Sequence, residues 1–577
     1  MFKSYIIYYS FILLTFFVGC SSYNDETHEA TFTGEIKDTN SWYADTDENV
    51  NVLEMRVTIP RPNEYECTPH NNHNLSKRPC TIADIDGDDD AGDDYRPVLH
   101  VQMETDDFIS SNEIMNADFK QKGKSTRHAK LKSYRIKLNS KDPKDLYLHE
   151  RSFQLNKHPN DYSRVRNKLS FDIFKQIPNF ISLKTQFMNL KITTTDDNGT
   201  TKEHDYGLFT HIESVGEEFL RNRGWNMDDH IYKTQNFDFR MQDALKLDSS
   251  GKPLDSEAFD AVIEPKNGKD YSKLIEMLKA INATDKYTIE GGEFDKVFNK
   301  YFNRENYITW MAINIVVANK DTVSQNFYLY NPVDSDTFYF IPWDYDGTAR
   351  DTKYYAKWEL SIGTWWGIPL HQRFLNIKKN RDDLDKMVDK LREQYITPKI
   401  IQEKLDVYEP LIISHLSQSP DVDVLPLKEW REEFNSLIPR LDENIKNYKD
   451  EIEKGVPMPF WQSYKYKDGI LSLNWEEAID FEGDEIVYDI YCADNVDFNN
   501  SLVYETNLSV KDSKLTKTSW GEIEFITQAK VNVGDRLFMK VVAKEKNNPN
   551  NFQLSFDKEV KIGRVDYFGV LEFVVEN

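Results

Sequence analysis

Asn319-Lys320-Asp321-Thr322-Val323-Ser324-Gln325-Asn326, followed after an apolar stretch by Pro342-Trp343-Asp344-Tyr345-Asp346-Gly347, decides how this chain is read. Upstream, Tyr307, Ile308, Met311, Ile315 and Val316 recur at helical spacing, so a helix over 303–317 would deliver Asp321 just past its end. Phe327-Tyr328-Leu329-Tyr330 and Phe338-Tyr339-Phe340-Ile341 flank a polar turn and read as a β-hairpin. Asn326 sits at the start of that hairpin and Asp344 just beyond its end. Neighbouring ends of an antiparallel pair lie side by side. One small volume could then hold a base and two ligands for a divalent cation, as phosphate chemistry requires. The bland alternative is that Asp321 caps a helix end and that Asn326, Asp344 and Asp346 form turns.

Outward from this stretch, strand-like and helical segments alternate between about 98 and 399. Leu99 to Glu104, Lys132 to Leu138, Phe187 to Thr194 and Tyr206 to Ile212 read as strands, and Arg164 to Gln176 as a helix. Lys122-Gly123-Lys124-Ser125-Thr126-Arg127 is a small-residue turn in a basic run that continues through Lys130, Lys132, Arg135 and Lys137. Such a run in an acidic protein either binds an anion or is a solvated face. Residues 397–455 are charged and helical, and Pro457-Met458-Pro459 marks a boundary. Beyond it, Leu471 to Trp475, Val487 to Tyr491 and Arg536 to Ala543 read as strands of a small β-sandwich, which resembles a fibronectin type III module. The fold class expected is α+β followed by an all-β module, with domains at 51–456 and 457–577.

The formal net charge of −25 argues against a nucleic-acid partner. Met1-Phe2-Lys3, an apolar run from Tyr5 to Val18 and then Gly19-Cys20 read as an export signal over 1–19. Phe17-Val18-Gly19-Cys20 resembles a bacterial lipobox, with Phe17 where Leu is usual. A lipidated Cys20 would anchor the chain in the cell envelope, with 20–50 as a polar tether. Cys67 and Cys80 could form a disulfide, remain free thiols, or bind zinc with His70 and His73. Cys492 reads as a buried thiol. The Asp-rich stretch Asp84 to Asp94 fails the EF-hand pattern and is either an irregular Ca²⁺ loop or a solvated acidic loop.

Taken in order, these parts resemble the CotH kinase family of atypical protein kinase-like proteins, over roughly 95–400. The matching blocks are Gly123 to Thr126 with Lys132 to Lys137; Asp161-Tyr162-Ser163-Arg164-Val165-Arg166-Asn167; Tyr206 to Glu213; Asn319-Lys320-Asp321 with Asn326; and Ile341 to Asp346. The family's Arg-Gly-x-Ser turn is here Lys122-Gly123-Lys124-Ser125. The resemblance implies that Gly123, Lys124 and Ser125 cover ATP phosphates and that Lys132, with Lys137 as rival, meets them. It places Ile212 and Glu213 near the adenine and makes Asp321 the base toward a Ser or Thr hydroxyl of a protein substrate. Asn326 and Asp344 would hold Mg²⁺ or Mn²⁺, with Asp346 behind them or on a second ion. Two alternatives stand beside it: a surface binding or assembly lipoprotein that keeps the fold without turnover, and transfer of a nucleotidyl group.

Overall fold

The computed structural model describes Ile36, Asp38, Tyr43 and residues 51–68, 76–89, 96–108, 115–123, 125–196, 198–518, 521–557, 560–562 and 565–576. The export signal, Cys20, most of the tether, His70, His73, Asp90, Asp93, Asp94 and Lys124 lie outside these residues. Among the described residues no helix is long and apolar enough to cross a membrane.

The fold is α+β. Its first part is a closed seven-stranded barrel in the order Leu53–Ile59, Leu99–Thr105, Ala117–Lys122, Ser133–Leu138, Ser152–Asn156, Thr201–Ile212, Thr185–Thr195. The barrel closes where Leu53–Ile59 runs parallel to Thr185–Thr195. Alternation sorts each strand into an inner and an outer face. Phe119, Ile136, Phe153, Leu155 and Leu190 point inward and are fully buried. The intervening Lys120, Lys122, Arg135 and Lys137 lie on the outer face, with Lys120 paired to Arg135.

The second part is built on a four-stranded sheet in the order Ile263–Asn267, His230–Thr234, Phe327–Asn331, Tyr339–Pro342. Helix Arg304–Val316 packs across it. Asn303 caps this helix by accepting from the Asn306 amide at 2.9 Å. Every side chain from Asn306 to Val316 is buried. Trp310 lies 4.4 Å from Phe340 and 5.1 Å from Phe327, ring to ring. Each such buried aromatic side chain contributes about 1.5–3 kcal/mol. Because the same rings hold both the helix and the hairpin, the residues after the helix and those after the hairpin have a fixed separation.

Helices Lys378–Gln394 and Leu437–Lys454 pack on Arg304–Val316, Leu427–Asn435 packs on Leu437–Lys454, and Pro398–Leu416 packs against the barrel strand Thr201–Ile212. Asn444 donates to the Ile315 carbonyl at 2.6 Å, satisfying a group at the helix end. The C-terminal module has two facing sheets. One is Gln462–Lys467, Ile470–Glu476, Glu522–Ile526, Leu515–Lys517. The other is Val503–Ser509, Ile486–Ala493, Arg536–Glu545, Phe552–Leu554, with Val570–Val574 also on Arg536–Glu545. Trp475 and Tyr488 meet in its core, and Cys492 is buried and free. One compact unit runs from Phe32 to Asn577, across the Pro457 boundary. Phe556 packs on Trp358 at 5.2 Å, and Arg381 lies 3.6 Å over the Phe481 ring.

The 20–50 segment meets the body at its three described residues. Ile36 joins the helical core. Tyr43 donates to the Ser182 carbonyl at 2.9 Å, and Asp38 pairs with Arg223 at 3.2 Å. At these positions the segment is packed into the protein. A disulfide joins Cys67 to Cys80, whose Cα atoms are 5.3 Å apart.

Candidate active-site cleft

The Asp321 and Asp344 segments come together where the end of the second sheet faces the outer side of the barrel. The helix end is fastened first: Asn319, fully buried, donates from its amide side chain to Asn314 at 3.2 Å. The chain then turns, and Asn326 donates to the Asp321 carboxylate at 2.9 Å and to its carbonyl at 2.8 Å. Gln325 donates to the other Asp321 oxygen. The hairpin register sets Phe327 opposite Pro342, so Asn326 and Trp343 flank the same strand ends. Asn326 and Asp344 both have left-handed backbones, φ 59° and 58°. Asn and Asp tolerate that region better than other side-chain-bearing residues.

Asp344, partly open to the cleft, and Asp346 repel one another. Burial, together with that repulsion, pushes the Asp344 carboxyl up to about 6, against the pull of Lys122, His158 and Lys233. Burial also raises Asp321, and Asp346 adds to the rise. Asp346 is therefore the carboxylate felt by both of the others, and His158 approaches it at 3.7 Å. The loop is clamped from behind. Asn167 accepts from the Tyr345 amide at 2.7 Å and donates to Asp344 at 3.5 Å. Arg166, held by Asp161 and Glu433, donates to the Thr348 and Ala349 carbonyls. The Asp161–Asn167 block thus positions the Asp344 loop.

Opposite the carboxylates is Lys122, the last residue of its strand. It donates to Asn156 and lies 5.5 Å from the Trp343 ring, with Lys233 at 5.6 Å from the same ring. Burial depresses its ammonium to about 8. Gly123 follows at φ 108°, and a Cβ there would stand 2.1 Å from the Thr126 hydroxyl, so only glycine lets the turn close. Arg127, wholly buried, pairs with Asp88 behind the turn. Asn326, Asp344, Asp346, Asp321 and Gly123 are the sequence-derived site residues found around this cleft, and Ser125 begins the short helix after the turn.

Others lie elsewhere. Lys132 donates to the Arg127 carbonyl and lines a separate cavity with Asp86 and Tyr134. Lys137 is on the outer barrel face near Arg151 and Glu218, four residue pairs along from Lys122. Ile212 is in the helical core, and Glu213 is wholly buried in an ion pair with Arg223 at 2.7 Å. In the Asp-rich stretch the described carboxylates face different partners: Asp84 takes Arg78, Asp86 takes Tyr134 and Tyr206, and Asp88 takes Arg127. Lys233 and His158 had no sequence signal. Lys122 had one, since counting outward from apolar Phe119 puts it on the face of Lys120.

A closed barrel thus meets a helical body, with Asp321, Asn326 and Asp344 on one side of the junction and Lys122 on the other. The chain belongs to the CotH kinase protein family, whose family model matches residues 119–480. Inner spore coat protein H of Bacillus subtilis (strain 168) is 26% identical over 324 residues, covering 53% of this chain and 83% of that protein. A solved complex from Shewanella oneidensis MR-1, the toxin–antitoxin system HipA and HipB with its operator DNA, matches at 11% identity. It covers 62% of this chain and 66% of that one, with a TM-score of 0.21, too low to say anything of the fold. The family match begins within the Ala117–Lys122 strand, so two barrel strands precede it, and it ends inside the C-terminal module.

Proposed function

We propose that this chain is an exported, lipid-anchored kinase that moves the γ-phosphoryl group of ATP to a Ser or Thr hydroxyl of a protein. The observation that carries this reading is the facing pair of clusters, Asp344 with Asp346 on one wall and Lys122 on the other. Two adjacent carboxylates, one held above its ordinary range by burial and by the charge of the other, fit a hard divalent cation. Asp344 and Asp346, with Asn326 beside Asp321, would hold Mg²⁺ or Mn²⁺, which would supply charge neutralisation on the phosphates. Lys122 and the turn at Gly123 bind the phosphates. Asp321, oriented by Asn326, takes the acceptor's proton as its oxygen bonds to the γ-phosphorus and the bond to ADP breaks. The Cys67–Cys80 disulfide supports an oxidising compartment outside the cytoplasm. Two stacked sheets after the body support a fibronectin type III-like docking module.

One observation favours the alternative of a binding lipoprotein without turnover: both Asp321 oxygens already accept hydrogen bonds from Gln325 and Asn326. Turnover separates the two readings. Asp321→Asn should lower phosphoryl transfer to a generic acceptor by about a hundredfold or more while leaving Mg²⁺–ATP binding nearly intact. Equal rates in the two proteins would remove Asp321 from the chemistry. Mass spectrometry of the product distinguishes a phosphoryl from a nucleotidyl group.

Nucleotide binding should also follow pH on both sides. Cation binding needs ionised Asp344, so Mg²⁺–ATP affinity should fall about tenfold per pH unit below about 6. Lys122 loses its proton above about 8, so affinity should fall again there. Calorimetry across pH 5–9 reads both limbs. An affinity that stays level between pH 7 and 5 would remove Asp344 from the cation site.

A further inference from the structure

Away from the Asp344 site, a cavity lies where the body meets the C-terminal module. Its volume is about 350 Å³, within the range of small-molecule sites. Helices Lys378–Gln394 and Leu437–Lys454 line it, together with the segment 357–363 and, from the module, Met458, Phe481 and Glu482. Trp358, Ile362, Leu384 and Met458 supply its apolar surface, and all four are buried.

Most charges around this cavity are already paired. Lys378 meets Asp382 at 2.8 Å, and Lys449 meets Asp385 at 2.6 Å. Glu451 has Lys357 at 3.8 Å and Lys454 at 3.7 Å, and Lys386 has Asp383 at 3.6 Å. Arg381 is the exception. Its guanidinium lies 3.6 Å over the Phe481 ring, and one terminal nitrogen donates to the Leu375 and Asn376 carbonyls at 2.8 and 3.0 Å. Nε and the other terminal nitrogen donate to no described group, and no described carboxylate pairs with this arginine. Glu482 and Asp382 attract it without bonding to it, while burial disfavours its charge. The Glu482 carboxylate instead lies against Gly455, where a Cβ would stand 2.5 Å from it. A guanidinium held flat on a ring has its fork already oriented, so an anion that binds it orders little.

We propose that this junction cavity binds an organic carboxylate with an apolar body, the carboxylate on Arg381 and the body against Trp358, Leu384 and Met458. Arginine matches a carboxylate with two parallel N–H donors. A cationic ligand would face Arg381 and carboxylates that already have lysines. A wholly polar anion would leave the apolar surface in water. Met458 is unbranched and lets that surface fit a flat ring or an alkyl chain. Phe481 and Glu482 belong to the module, whereas Arg381 and Leu384 belong to the body. The ligand would therefore touch both parts and hold them in their present arrangement. This site is independent of Asp344 and stands whether or not the chain turns over ATP.

The test uses the full chain without nucleotide or added metal. Cinnamate and decanoate are titrated by calorimetry and by thermal melting, with cinnamyl alcohol as the uncharged control. The expected result is one site with a Kd of about 1 mM or tighter for at least one of the carboxylates, and a Tm that rises as it binds. The alcohol should bind at least about tenfold more weakly than cinnamate. The preference between the two carboxylates tells an aromatic ligand from an alkyl one. Arg381→Met keeps an unbranched chain over Phe481 but removes the fork, and should weaken the carboxylates by about tenfold or more. Glu482 is exposed, so Glu482→Gln should fold normally. By removing a like charge beside the ligand it should tighten the carboxylates about two- to fivefold and leave the alcohol unmoved. Failure of both carboxylates to bind at about 10 mM would overturn the proposal, and so would an alcohol that binds as tightly as cinnamate. Should Arg381→Met not fold, Glu482→Gln decides alone: carboxylate affinity that is unchanged or weaker there would overturn the assignment to this cavity.

Discussion

Asp344→Ala should abolish detectable Mg²⁺–ATP binding and lower any phosphoryl transfer by about a hundred- to a thousandfold, the scale of losing one charge-stabilising group. The physical reason is local. Asp344 is the carboxylate that faces Lys122, Lys233 and His158 together, and without it Asp346 stands alone. Stability should move the other way. A carboxyl whose folded pKa is raised contributes stability that is fully present below about 3.8 and is lost as pH rises through about 6. At pH 7.5 the ionised Asp344 therefore costs the free protein stability, and Asp344→Asn should recover about 1–2 kcal/mol. A variant that is inactive but melts higher is the signature of a group kept for function. Loss of activity with a lower melting temperature would instead make Asp344 a structural residue.

Arg223→Ala should be the most destabilising single change in the molecule's polar interior. Its guanidinium is wholly buried and donates to both oxygens of Glu213, at 2.7 and 2.9 Å, to Tyr43 at 3.1 Å and to the Ser182 carbonyl at 3.1 Å. Asp38 completes the group. Removing the arginine leaves two buried carboxylates uncompensated, a cost of about 3–5 kcal/mol. Denaturant unfolding reads it directly. The same experiment tests the role that resemblance gave Glu213. If Glu213 served the adenine, Arg223→Ala would weaken ATP binding in a protein of near-normal stability. The buried pair predicts the reverse, a loss of stability that precedes any effect on the nucleotide.

The two strand ends were legible because their signals are local. Helical spacing over 307–316 and a hairpin bounded by polar residues are both short-range patterns, and together they place Asp321, Asn326 and Asp344. The barrel strands were legible singly, but their closure was not. The parallel pairing of Leu53–Ile59 with Thr185–Thr195 joins segments more than a hundred residues apart, and nothing in either strand names its partner. The same gap explains the lysines. Lys132 and Lys137 stand in a conspicuous basic run, yet which lysine faces the carboxylates depends on how the barrel turns its outer face to the second sheet. Strand register puts Lys122 there, beside Asn156 and Trp343. Glu213 failed as a nucleotide contact for a related reason: its partner Arg223 is close in sequence, but its burial depends on Asp38 and Tyr43, from a segment whose composition suggested a free tether.

The most direct measurement is diffraction from crystals of the full chain soaked with Mn²⁺ and a non-hydrolysable ATP analogue. Anomalous density should lie between the carboxylates of Asp344 and Asp346, with the phosphates under the Gly123 turn and within reach of Lys122. Manganese and nucleotide bound away from all three residues, or absent from crystals whose cleft is open to solvent, would contradict the assignment of this cleft to phosphoryl transfer.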